Sequence, residues 1–130
     1  MTVPGSRIHT NAVIAKLQAA SLTVGDAQGL TPPPYVVVYP ITGGSYSGTL
    51  TDPQKNAELV YQVTCVGSGR EQAEWLLDKA TVTMLSGITV TGRALIHLYV
   101  QEPSGVQVDN DADPPLFYAT PRYRLLTVPS

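Results

Sequence analysis

The stretch ELVYQVTCVGSGREQAEWLLDKATVTML, Glu58 to Leu85, decides the fold. In its first third Leu59, Tyr61, Val63 and Cys65 alternate with Glu58, Gln62 and Thr64, the two-residue period of a strand with one buried face. Val60 and Val66 interrupt the polar side, so partial cover is expected on the second face too. Gly67-Ser68-Gly69 then turns the chain, and Ser68 with Glu71 forms a Ser-x-x-Glu pattern that predicts a capping box. Beyond the turn Ala73, Leu76, Leu77, Ala80 and Met84 recur at helical spacing, while Arg70, Glu74, Asp78 and Lys79 mostly take the other side. A helix with one apolar stripe needs a sheet beneath it, and the preceding strand is the nearest one.

Outward from this unit, 130 residues suffice for one core without disulfides or a metal, so residues 1–130 are expected to form a single domain. Charged residues make up only 14% of the chain, well below the usual quarter, which favours a surface in contact with partners. A net charge of −2 supplies no basic footprint for gripping a nucleic-acid backbone. The single cysteine, Cys65, has no partner for a disulfide or zinc site and is expected as a small core residue. No apolar run approaches membrane-spanning length and the start lacks a signal pattern, so the expectation is a soluble protein made in a reducing cytoplasm, with no membrane partner.

Towards the N-terminus, Val13, Ile14, Leu17 and Ala20 predict an amphipathic helix from Ser6 or Thr10 to about Ala20, with His9 expected as a solvated residue near its start. Ser21 to Pro34, with Gly25, Gly29 and three consecutive prolines, is expected as connection. Tyr35 to Tyr39 is a β-branched and aromatic run expected as an interior strand ending at Pro40. Ile41 to Ala57 is rich in Gly, Ser and Thr and is expected as a long loop or hairpin arm, with Tyr46 and Leu50 as apolar anchors that order on contact with a partner. Its glycines match neither phosphate-binding spacing.

Towards the C-terminus, Ser86-Gly87 stops the helix and Arg93 to Glu102 predicts a strand with Ala94, Ile96, Leu98 and Val100 on one side, and His97, Tyr99 and Gln101 on the other. Asp109, Asp111 and Asp113 resemble the opening of a calcium loop, yet Pro114 and Thr120 stand where that loop requires Gly and Glu, so a solvated turn is expected. A last extended run, Leu116 to Ala119 and Tyr123 to Val128, is broken by Thr120-Pro121, and Arg122 and Arg124 share one of its faces. The elements together predict an α+β fold: a mostly antiparallel four-stranded sheet with two helices packed on one face. Its open edges invite pairing with a neighbour. Two histidines and one buried thiol offer no triad, carboxylate pair or metal cluster, so no enzyme, catalytic residue or cofactor is expected. A small-ligand module using Trp75 and the tyrosines is a further alternative, though Trp75 beside the apolar stripe fits packing or interface better.

The segments PPPYVVVYPITGG, ELVYQVTCVG, SGREQAEWLLDKATVTML and RYRLLTV, in this order between Ile8 and Val128, resemble the tail terminator proteins of long-tailed bacteriophages. The resemblance implies a virion protein forming a ring, usually of six copies, at the head-proximal end of the tail. Such a ring caps the tail tube, stops its polymerisation and joins head-completion proteins, while DNA passes through the channel without tight binding. A head-to-tail connector or another minor tail protein is the nearest alternative. Interface positions expected on this basis are Tyr39, Thr42, Tyr46, Leu50, Trp75, Tyr99, Arg122 and Arg124, and Asp109, Asp111 and Asp113 are expected on a ring face or the lumen.

Overall fold

A computed structural model describes residues 6–28, 32–47 and 56–129. Along them run α1 (Ser6–Ala19), β1 (Val24–Asp26), β2 (Tyr35–Ser47), β3 (Asn56–Gly67), α2 (Arg70–Leu85), β4 (Arg93–Glu102), β5 (Gln107–Asp109), β6 (Leu116–Ala119) and β7 (Arg122–Pro129). The class is α+β, but the expected four-stranded, mostly antiparallel sheet is wrong: seven strands make one mixed sheet. β1 lies within the segment expected as connection and pairs parallel to β2, Val24 opposite Val36 and Asp26 opposite Val38. β5 was unforeseen and pairs with β6, and Thr120-Pro121 splits the last run into two strands on the same side of β3.

β3 is the axis of this sheet. One edge pairs antiparallel with β2 from Asn56 to Val66; the other pairs with β7 from Ala57 to Gln62 and then with β6 from Cys65 to Gly67. At the break between them the Val63 amide donates to the Pro121 carbonyl at 3.0 Å, and the Thr120 amide donates to Ser104 Oγ at 2.9 Å. The ladder is therefore repaired where proline cannot contribute a donor. β4 lies outside β7, and β5 outside β6.

β2 does not end at Pro40. It runs on to Ser47 against Asn56, so residues 41–47 and 56–57, expected within a long loop or hairpin arm, form a two-stranded extension with a register shift between Ile41 and Ser45. Pro40 is tolerated because β1 pairs only with Val36 to Val38, leaving β2 an edge strand beyond that point among the described residues. Leu50 and the rest of the expected arm tip lie outside the described residues.

Both helices cover one face of the sheet. Val13 and Leu17 of α1, and Leu76, Ala80 and Met84 of α2, pack on Val36, Val38, Leu59, Tyr61, Val63, Tyr123 and Leu125, all at most 3% exposed. Leu77, expected in the core stripe, is only partly buried at its margin. His9 is not solvated: it is fully buried, and its Nε2 lies 2.6 Å from Thr127 Oγ1 on β7. His9, Val13 and Leu17 follow one another at four-residue spacing, so the histidine continues the apolar stripe and ties α1 to the sheet. Arg93 reaches the same threonine, donating to its Oγ1 at 3.2 Å and its carbonyl at 3.0 Å. A second tie runs from Thr10 Oγ1 to the Tyr61 hydroxyl, 2.9 Å.

The entry to α2 also differs from the expected box. The N-cap is Gly69 in extended conformation without a side-chain bond, and Gln72, not Glu71, reaches back to accept from the Ser68 amide at 2.8 Å and the Ser68 hydroxyl at 2.9 Å. The motif is shifted by one residue, and just before it the chain passes close to the helix at Gly67. A Cβ on Gly67 would stand 2.7 Å from the Ala73 nitrogen and 3.1 Å from its Cα.

Gly67→Ala is expected to destabilise the fold by about 1–3 kcal/mol, since backbone must move on both sides of the contact; urea unfolding against wild type measures this. Leu76→Ala is expected to cost about 2–5 kcal/mol and Leu77→Ala clearly less, reversing the order if the helix is rotated from the face described.

Candidate functional site

The groups with chemical potential, Cys65, Tyr123 and His97, lie on separate strands of the sheet. Cys65 is fully buried on the helix-covered face of β3, and burial pushes its thiol up to about 12. The thiolate required of a nucleophile is therefore absent near neutral pH. Tyr123 is likewise pushed up to about 12 by burial, with Cys65 adding to the rise and its 2.8 Å hydrogen bond with Thr81 opposing it. His97 is exposed on β4 with its ring 5.4 Å from that of Tyr99. Among the described residues no group of three or more His, Cys, Asp or Glu could hold a metal ion. No described helix is long and apolar enough to cross a membrane.

What the fold presents is two unlike surfaces on opposite sides. The first is the sheet face away from the helices. On β3 it carries Glu58, Val60, Gln62 and Thr64, and strand register brings Tyr39 and Arg122 opposite Gln62, Arg124 opposite Val60, and Tyr99 opposite Arg124. Four of the expected interface residues, Tyr39, Tyr99, Arg122 and Arg124, thus share one face. At one end Tyr35, Val37 and Val66 form a small cluster with Tyr39, Leu116 and Tyr118. The arginines are loosely held. Arg122 donates to Gln62 at 3.3 Å and stands 3.9 Å from Glu102; Arg124 stands 3.7 Å from Glu58, and its Nε has no hydrogen-bond partner. Ion pairs this open contribute about 0–1 kcal/mol each.

The second surface is the outward side of α2. Trp75 is 54% and Val82 72% exposed, seven residues apart and diametrically opposite the core stripe of Ala73, Leu76, Ala80 and Met84. Lys79 Nζ lies 4.9 Å from the Trp75 ring centre, and Arg70 pairs with Glu74 at 2.6 Å. Beside this ridge a groove of about 350 Å³ runs between α2 and β4, lined by Leu77, Thr81, Val82, Val100 and Pro103. Val82 was missed in the sequence, although its spacing from Trp75 was a usable signal. Ile96, expected on the same side as Leu98, is instead 55% exposed, because the β4–β7 register shifts between Leu95 and His97 and turns it out of phase.

Of the remaining expected positions, Leu50 lies outside the described residues. Thr42 and Tyr46 lie on the backbone of β2, Tyr46 opposite Ala57. The acidic turn joins β5 to β6 at the sheet margin, with Asp109 accepting the Asp111 amide at 3.0 Å and Asp111 and Asp113 exposed. An aspartate that caps its own turn in this way has a local structural use.

No protein-family model and no curated protein sequence matches the chain. Solved structures do. A chain of the virion of a native gene transfer agent particle superposes with a TM-score of 0.70 at 14% identity, covering 92% of this chain and 93% of that one. A second solved structure matches with a TM-score of 0.56 at 19% identity, over 97% and 96% of the two chains. These likenesses establish a shared fold along nearly the whole length.

Burial of Cys65 and Tyr123 in protonated form makes the fold sensitive to alkali. The unfolded groups ionise near their ordinary values of 9.0 and 10.0 while the folded ones hold their protons to about 12. The unfolded state then binds fewer protons, so stability falls as pH rises through this window and is complete below it. Thermal unfolding of Cys65→Ala between neutral pH and pH 11 is expected to fall less steeply than wild type, and parallel curves would show that the thiol is not held protonated.

Proposed function

We propose that this chain is a structural subunit of a phage-like particle that works by assembly and performs no reaction. Copies close into a ring, six by the family resemblance, at the head-proximal end of a tail tube, where the ring ends tube growth and receives the head-completion proteins. The observation that carries this reading is the fold shared, over more than nine-tenths of both chains, with a component of a gene transfer agent virion. The unlike surfaces on opposite sides of the subunit support it, because a closed ring repeats one contact between two different patches. The buried protonated thiol of Cys65 supports a role without catalysis. A charge of −2 suits a channel along which DNA slides, since a basic lumen would hold its phosphates by counterion release. Assembly takes place in the host cytoplasm and the product remains in the virion.

Purified protein is expected to show rings by negative-stain electron microscopy, with a mass by light scattering that is a multiple of the 13.9 kDa chain. Added to polymerising tail-tube protein, it is expected to shorten the tubes and decorate one end. Rings that bind a connector but leave tube length unchanged would favour a neck role. A protein that stays monomeric at high concentration and beside tail tubes would defeat the proposal.

A further inference from the structure

We infer that neighbouring copies join through the two opposite surfaces described above: the outward side of α2, centred on Trp75, Asp78 and Val82, seats on the open sheet face of the next copy, centred on Tyr99, Arg122 and Arg124. This rests on the assembly reading and names the contact that assembly uses.

Charge supports the pairing. On α2, Arg70 is engaged by Glu74 and Lys79 lies over Trp75, whereas Glu71 and Asp78 form no ion pair among the described residues. On the sheet face the two guanidinium groups stand 3.7 and 3.9 Å from their nearest carboxylates, and Arg124 Nε has no hydrogen bond. Acid without a partner thus faces base with a weak one.

The apolar parts match as well. Trp75 and Val82 form a ridge that no element of the same chain covers among the described residues, and Tyr99, 43% exposed beside Arg124, offers an aromatic platform. Trp, Tyr and Arg are the side chains that most often dominate such contacts. A contact of the α2 side with itself would place Glu71 and Asp78 against their own copies, so the unlike pairing is favoured.

The test mixes two defective proteins. Trp75→Ser combined with Val82→Asp spoils the α2 side, and Tyr99→Ser combined with Arg124→Gln spoils the sheet face. The three apolar positions are largely exposed, so circular dichroism and melting curves are expected to match wild type; Asp78→Lys and Arg122→Gln serve as single-charge versions if either double variant unfolds. Each variant alone is expected to self-associate at least about tenfold more weakly than wild type in sedimentation velocity. Mixed in equal amounts they are expected to form a heterodimer and nothing larger, because one intact pair of surfaces remains. Added salt is expected to weaken it. Variants that assemble like wild type, or a mixture that stays monomeric, would overturn the surfaces named here while leaving assembly intact. A wild-type protein that never associates would instead overturn the assembly reading, and this contact with it.

Discussion

The end of β3 and the start of α2 approach so closely that the Ala73 nitrogen would stand 2.7 Å from any Cβ at position 67, and the rest of the molecule is arranged around this contact. Only glycine can carry the strand into the turn at that distance. Once α2 is pressed there, its Ala73, Leu76, Ala80 and Met84 stripe must lie along the Leu59, Tyr61, Val63 and Cys65 side of β3. The short side chains of Ala73 and Ala80 let the helix lie close to the sheet, and Leu76 and Met84 join them in the core. The helix cannot slide without driving backbone into backbone.

With its helical layer fixed on one side, the sheet receives no second layer from the described residues. β3 has strands along both edges and helices on one face, so its only remaining direction is the face bearing Glu58, Val60, Gln62 and Thr64. That face is neither core nor ordinary surface. Aliphatic and aromatic residues alternate there with two arginines whose ion pairs are wide and whose neighbours leave them half-buried. Such a mixture is costly to hide and unremarkable to expose, the composition expected of surfaces that are wet part of the time.

Much of this was legible because it repeats. The alternation in β3, the stripe in α2 and the alternating arginines of β7 each extend over enough residues to mark a face. What escaped is short or depends on partners distant in sequence. β1 and β5 have three residues each, too few for a period to declare itself, and β1 carries Gly25 at its centre. Ile96 changed sides through a local register shift, which depends on how β4 meets β7. His9 was misplaced because its type suggested water, although its four-residue spacing from Val13 and Leu17 pointed inward; Thr127, its partner, lies 118 residues away. The candidate site divided in the same manner. That Arg122 and Arg124 share a face follows from counting, whereas their lying opposite to Trp75 follows only from the topology.

A two-layer fold with one bare sheet face is inherently two-sided, and this sidedness bears on what its copies can build. Identical patches related by a two-fold axis pair once and stop, whereas unlike patches on opposite sides leave each new contact with one free patch at either end. Such a series ends only by closing on itself. Sparse charge suits close contact between copies, because chains carrying −2 apiece repel one another weakly. A subunit with Trp75 and Val82 on one side and Arg122 and Arg124 on the other has two unlike sides, and its buried Cys65 and Tyr123 serve the core that holds those two sides apart.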